Sequence, residues 1–183
     1  MDRDVSLFID GAWTPATGNR TVPVVGSATG DTIGTVAHAS RADLDRALEA
    51  ADKGFRAWRQ VPAFNRSKVM RKAANILRDR IDDIAPLLTM EQGKPLAEAK
   101  GEVMAGADVI DWFAEEARHT YGRVIPARSE GIYHLVAKEP VGPVAAFTPS
   151  CRCVRRAPQA SATSLLAALR QPNLAAAAAA AAN

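Results

Sequence analysis

The spacing of apolar positions changes along this chain, and each spacing predicts a different element. Over residues 6–37 the apolar positions form short runs broken by turn pairs. Leu7, Phe8 and Ile9 lead into Asp10-Gly11, a hairpin signal, and the run resumes at Ala12-Trp13. Gly18-Asn19 marks a second turn before residues 22–25, and Thr29-Gly30-Asp31 marks a third before residues 33–37. This pattern predicts two edge hairpins packed on a helical body. From Ser40 the period lengthens. Leu44, Leu48, Ala51, Phe55 and Trp58 step by four and three, which is one helical stripe, and Val61-Pro62 closes it. Ser40 and Asp43 have the spacing of a capping box, with Asp in place of Glu.

A second helix is predicted from about residue 65 to 88. Val69, Ala73, Ile76, Leu77, Ile84, Leu87 and Leu88 form its apolar side, and Pro86 is expected to kink or shorten it. Gly93 suits a helix C-terminal cap and Pro95 the first turn of the next helix. That third helix runs from 96 to about 121. Its stripe is Leu96, Ala99, Val103, Ala107, Ile110, Phe113, Ala117 and Tyr121, with Trp112 and Phe113 expected as core anchors. After Gly122, Val124-Ile125-Pro126 and residues 132–138 read as extended. In the second run both alternating sets are largely apolar, so the strand is expected to be covered or to sit at an interface. Pro140-Val141-Gly142-Pro143 then turns into an apolar run over 144–147, which closes on Thr148-Pro149. Four apolar residues without alternation predict a strand buried on both faces.

Composition adds limits. The 183 residues are 48% hydrophobic and 23% charged, typical of a soluble globular chain. No apolar run approaches the ~20 residues of a membrane helix. The opening MDRDVSLFIDG carries no apolar signal region, so a cytoplasmic protein is expected. The net charge of +3 is unevenly placed. Residues 150–183 hold Arg152, Arg155, Arg156 and Arg170 and no acid, which leaves residues 1–149 slightly acidic. A body without a positive field is not expected to bind nucleic acid. Cys151 and Cys153 are spaced too closely for an easy mutual disulfide, and no second Cys/His pair completes a zinc site. Gly93-Lys94 lacks the spacing of a phosphate loop, and Glu115 and Glu116 point about 100° apart on a helix, so neither pair forms a catalytic site.

Five segments, in order and across most of the chain, carry a family resemblance: LFIDGAWTPA, FRAWRQVPAFNRSKVMRKAANIL, LLTMEQGKPLAEAKGEV, DWFAEEARHTYGRVIP and KEPVGPVAAFTP. Residues 7–149 resemble the N-terminal portion of an NAD(P)-dependent aldehyde dehydrogenase, and EQGKPLAEA is similar in style to succinate-semialdehyde dehydrogenases. The resemblance implies an α/β fold: edge hairpins, three long amphipathic helices and the first strand of a doubly wound dinucleotide-binding domain, at 144–147. It implies a β-extension for oligomerisation over residues 124–138, hence a homo-oligomer. It also implies NAD or NADP as cofactor and oxidation of an aldehyde to its acid through a cysteine thiolate, a glutamate base and an oxyanion-stabilising Asn.

The resemblance stops at Pro149. The family continues Thr-Pro-Trp-Asn, whereas Thr148-Pro149 is followed here by Ser150-Cys151-Arg152-Cys153. No catalytic residue is therefore assigned, and Cys151 and Cys153 are not read as nucleophiles. Only Phe147, Thr148 and Pro149 carry over, as part of the wall near the cofactor. The chain is accordingly expected to be a truncated form that neither turns over nor binds the cofactor. The alternative expectation is a non-catalytic oligomerisation or interaction fragment. Residues 150–183 form a separate basic tail with an Arg/Ala/Pro/Ser bias, the composition of a GC-rich gene read in a shifted frame. Its run of eight alanines favours helix.

Overall fold

Asp10 and Gly11 both take positive φ, 50° and 80°. That is the twist a two-residue hairpin loop demands. Strand β1 (Leu7–Ile9) therefore returns as β2 (Ala12–Thr14), with Phe8 opposite Trp13 and the two rings tilted at 5.1 Å. The computed structural model describes residues 4–146. A second hairpin joins β3 (Thr21–Val25) to β4 (Thr32–Ala37), antiparallel, through a turn closed by the Gly30 N–H on the Gly26 carbonyl. Both predicted hairpins form.

Four helices follow: α1 (Arg41–Trp58), α2 (Ala63–Asp79), α3 (Ile81–Gln92) and α4 (Leu96–Glu116). The capping box at the start of α1 is complete. The Asp43 backbone N–H donates to Ser40 Oγ, and the Asp43 carboxylate accepts from the Ser40 N–H at 2.8 Å. The predicted second helix is two helices. The chain breaks at Arg80, whose ψ of 14° is not helical, and Pro86 lies inside α3 without ending it. Proline crowds the turn before it, and the bend falls six residues upstream, where α3 can start afresh. Gly93 ends α3 at φ 71°, the left-handed cap its residue type favours. Pro95 is the N-cap of α4, one residue before the expected first turn.

The core lies where α2, α3 and α4 meet. Ala74, Leu77, Ile84, Ala85, Leu88, Ala99, Val103 and Ala107 are buried together, and Ile81 and Ile110 pack against them. Alanines on facing helices allow close approach. Ion pairs border this seam: Arg78 meets Asp108 and Asp111 at 2.7 Å each, Arg71 meets Glu115, and Lys100 meets Asp82 at 2.6 Å.

Two expectations about the core are corrected. Trp112 and Phe113 are not core anchors, since Trp112 is 68% exposed and Phe113 is exposed beside it. The buried line on α4 runs Ala99, Val103, Ala107 and Ala114, with Ile110 partly buried beside it. Trp112 is five residues past Ala107, about 140° round the helix. The α1 stripe is likewise only half used, with Leu44 and Leu48 facing outward. A last hairpin, β5 (Arg123–Pro126) with β6 (Tyr133–Val136), extends from the helical body with every strand residue exposed. Residues 144–146 form no strand and Val144 is exposed. A strand needs a hydrogen-bonding neighbour, and none of the six strands among the described residues pairs with this segment.

Candidate functional site

Three places in the described structure bear on function: the buried carboxylate at the start of α1, a groove beside the C-terminal end of α4, and the β5–β6 hairpin. The carboxylate of Asp43 is fully buried. Besides Ser40, it accepts the Thr17 hydroxyl at 2.7 Å, the Thr17 backbone N–H at 3.0 Å and Arg46 Nη2 at 2.6 Å. The Ser40 N–H first, and the Thr17 hydroxyl next, hold its pKa well below the usual carboxylate range, against the opposing effect of burial. Its lone pairs are spent on backbone and neighbouring side chains. This group is a staple between the loop after β2 and α1, not an acid or base with a free face.

The groove has a volume of about 540 Å³. Trp58 and Arg59 of the α1 end, Met70 of α2 and Phe113 and Glu116 of α4 line it, and the chain returning at Lys138 and Glu139 edges it. Arg66 in its wall donates to the Val61 carbonyl at 2.8 Å, and Arg59 stands over the Phe55 ring. The charges are of both signs, so the groove has no uniform field to select an ionic ligand. Among the described residues no group of three or more His, Cys, Asp or Glu could hold a metal ion.

The hairpin offers a surface instead. Its register pairs Val124 with Leu135 and Pro126 with Tyr133 on one face, and Arg123 with Val136 and Ile125 with His134 on the other. The residue type that permits the two strands to close at the base of this hairpin is Gly122. A side chain there would run into the Val136 carbonyl oxygen. The sequence marked residues 132–138 as apolar on both faces. It separated the alternating sets within that run but did not tell which β5 residues share each face, because that requires the register, and the register follows from where residues 127–132 turn. The candidate cofactor-wall residues Phe147, Thr148 and Pro149 lie outside the described residues, as do Cys151 and Cys153. No described helix is long and apolar enough to cross a membrane.

Comparison with known proteins identifies the fold these parts belong to. The chain is 45% identical over 152 residues to a glutarate-semialdehyde dehydrogenase of Pseudomonas putida, covering 80% of this chain and 32% of that protein. It is 39% identical to the NADP(+) succinate-semialdehyde dehydrogenase of Escherichia coli, covering 80% of this chain and 31% of that protein. The crystal structure of succinate-semialdehyde dehydrogenase from Burkholderia pseudomallei superposes with a TM-score of 0.73 at 39% identity, over 75% of this chain and 29% of that one. The chain thus spans about a third of the length of the curated relatives it matches. Residues 13–150 match the model of the aldehyde dehydrogenase family, and the chain belongs to that family.

Proposed function

We propose that this chain belongs to a cytoplasmic NAD(P)-linked oxidoreductase that converts a semialdehyde, succinate semialdehyde among them, to the carboxylic acid. In this reading residues 1–149 are its N-terminal, subunit-contacting portion and residues 150–183 a separate tail. The observation that carries the reading is the match over residues 13–150, together with relatives whose names are semialdehyde dehydrogenases.

The described residues do not by themselves fit a dinucleotide. Such a ligand lies beyond the C-terminal ends of neighbouring parallel strands. The three sheets here are two-stranded and antiparallel. Phe147, Thr148 and Pro149 stay proposed as one wall of a site whose other walls these elements do not supply. The polypeptide of residues 1–183 is therefore expected not to reduce NAD or NADP. An absorbance assay with succinate and glutarate semialdehydes should remain at background, and calorimetry should show no saturable micromolar binding of either cofactor. Turnover abolished by Cys151→Ser or Cys153→Ser would overturn this. The semialdehyde reading itself is tested by joining residues 1–149 to the remaining two thirds of the Pseudomonas putida relative. A folded chimera without semialdehyde oxidation counts against it.

A second reading, a non-catalytic interaction fragment, is favoured by one observation: Val109, Trp112 and Phe113 of α4 and the apolar residues of the β5–β6 hairpin are exposed in the single chain. Association without turnover would support it.

A further inference from the structure

The outer side of α4 is apolar and acidic at once, and we infer that the segment 152–170 of this same chain lies against it. The inference goes beyond the family reading and does not rest on it. Val109, Trp112 and Phe113 are 54%, 68% and 57% exposed there. The charged residues exposed on α4 are Glu98, Glu102, Asp108 and Glu116, all acids. Glu102 and Asp108 are shared with Lys94 and Arg78, and Glu98 and Glu116 stand at the two ends of the helix. A surface of this kind suits a partner that is apolar and carries positive charge only.

Residues 150–183 have that chemistry. They hold Arg152, Arg155, Arg156 and Arg170 and no acid, and Leu165, Leu166 and Leu169 precede the last arginine with the i, i+1, i+4 spacing of one helix side. The path of the chain puts them within reach. Lys138, Glu139 and Pro140 line the same groove as Phe113 and Glu116, so the chain passes the C-terminal end of α4 shortly before the described residues end at 146. The stretch from there to Leu165 spans up to about 60 Å when extended, twice the ~30 Å length of α4. A tethered segment meets such a surface at roughly millimolar effective concentration, so modest contacts hold it. The groove itself is not its seat, because Arg59, Arg66 and Lys138 line it and repel the arginines. A second copy suits the face less well. Laid on it by a two-fold axis, it would oppose Glu98, Asp108 and Glu116 to acids of their own kind. In the docked arrangement the leucines cover Val109 and Trp112, and the arginines face Glu98 and Glu116.

The experiment places a nitroxide on the full 183-residue chain and reads amide signals by nuclear magnetic resonance. Cys151 and Cys153 are the only cysteines, so Cys151→Ser and Cys153→Ser with Ser164→Cys leave one label, beside the leucines. Relative to the reduced label, the amides of Val109, Trp112 and Phe113 should lose most of their intensity, while those of Phe8 and Trp13 in the first hairpin keep theirs. Adding Leu166→Ser and Leu169→Ser should restore the α4 signals, and Glu98→Gln with Glu116→Gln, or high salt, should restore part of them. Unchanged amide shifts in α2 and α3 show that the core of each variant is intact. Broadening that is absent, spread evenly over the described residues, or indifferent to both sets of substitutions overturns the inference. So does broadening that appears only when spin-labelled chains are mixed with isotope-labelled chains free of the nitroxide, since the occupant is then a second copy.

Discussion

Thr17 and Asp43 are held together by both the backbone N–H and the hydroxyl of Thr17, which donate to one carboxylate 26 residues further along the chain. The same carboxylate caps α1 through Ser40. One side chain thus starts the first helix and anchors the loop that follows the first hairpin, so local and long-range order depend on each other. Replacing Thr17 with Ala removes the hydroxyl and leaves the backbone contact. The expected loss is about 1 kcal/mol of unfolding free energy in urea. An unchanged midpoint would show that the staple contributes nothing.

The acid sensitivity of this staple has a definite sign. The Asp43 pKa is lowered in the folded chain, chiefly by the Ser40 N–H and then by the Thr17 hydroxyl. A carboxylate titrating lower when folded stabilises the fold fully above its unfolded value of about 4, and this is lost as pH falls toward the folded value. Asp43→Asn should therefore melt below the parent at neutral pH. The gap should stay level down to about pH 5 and close progressively below about pH 4. A gap that widens in acid would contradict the assignment.

The core is built from small residues, and the largest aromatic side chain on α4 lies outside it. Leu77 is buried between α2 and α4, whereas Trp112 is exposed. Leu77→Ala should cost about 2–5 kcal/mol, the range for a buried leucine. Trp112→Ser should change monomer stability by no more than about 0.5 kcal/mol. Denaturant titration of both variants decides the matter. Equal losses would place Trp112 in a packed environment.

Gly122 makes the closest demand on residue type in the hairpin. A Cβ at this position would run into the Val136 carbonyl oxygen, a backbone atom that cannot swing aside as a side chain would. Gly122→Ala should displace the end of β6 from the segment that leads into β5, at a cost of about 1–3 kcal/mol. Hydrogen exchange should report it, with faster exchange confined to the β5–β6 amides and unchanged protection in α2 and α4. Unchanged exchange in β5–β6 would mean that the hairpin can shift to admit a methyl group without loosening.

The parts of this protein decided by neighbouring residues were legible in the sequence. Asp10-Gly11 specified a hairpin because both positions need positive φ, and both adopt it. Ser40 with Asp43 specified a helix start because a cap is a contact three residues long. Gly93 specified a helix end for the same local reason. The order of such signals along residues 7–149 also carried the family, which the match over residues 13–150 establishes.

What the chain meets at a distance was decided only in three dimensions. An apolar stripe is wider than the surface one neighbouring helix can cover, so periodicity alone did not tell that Ala114 would be buried and Phe113 exposed. The break falls at Arg80, six residues before Pro86, a position the proline alone did not mark. Thr17 as partner of Asp43, and Arg123 on the face opposite Leu135, follow from contacts across loops whose path the local signals do not encode. Apolar residues 144–146 form no strand for the same physical reason: backbone N–H and C=O groups make a strand only when another strand lies alongside to pair with them.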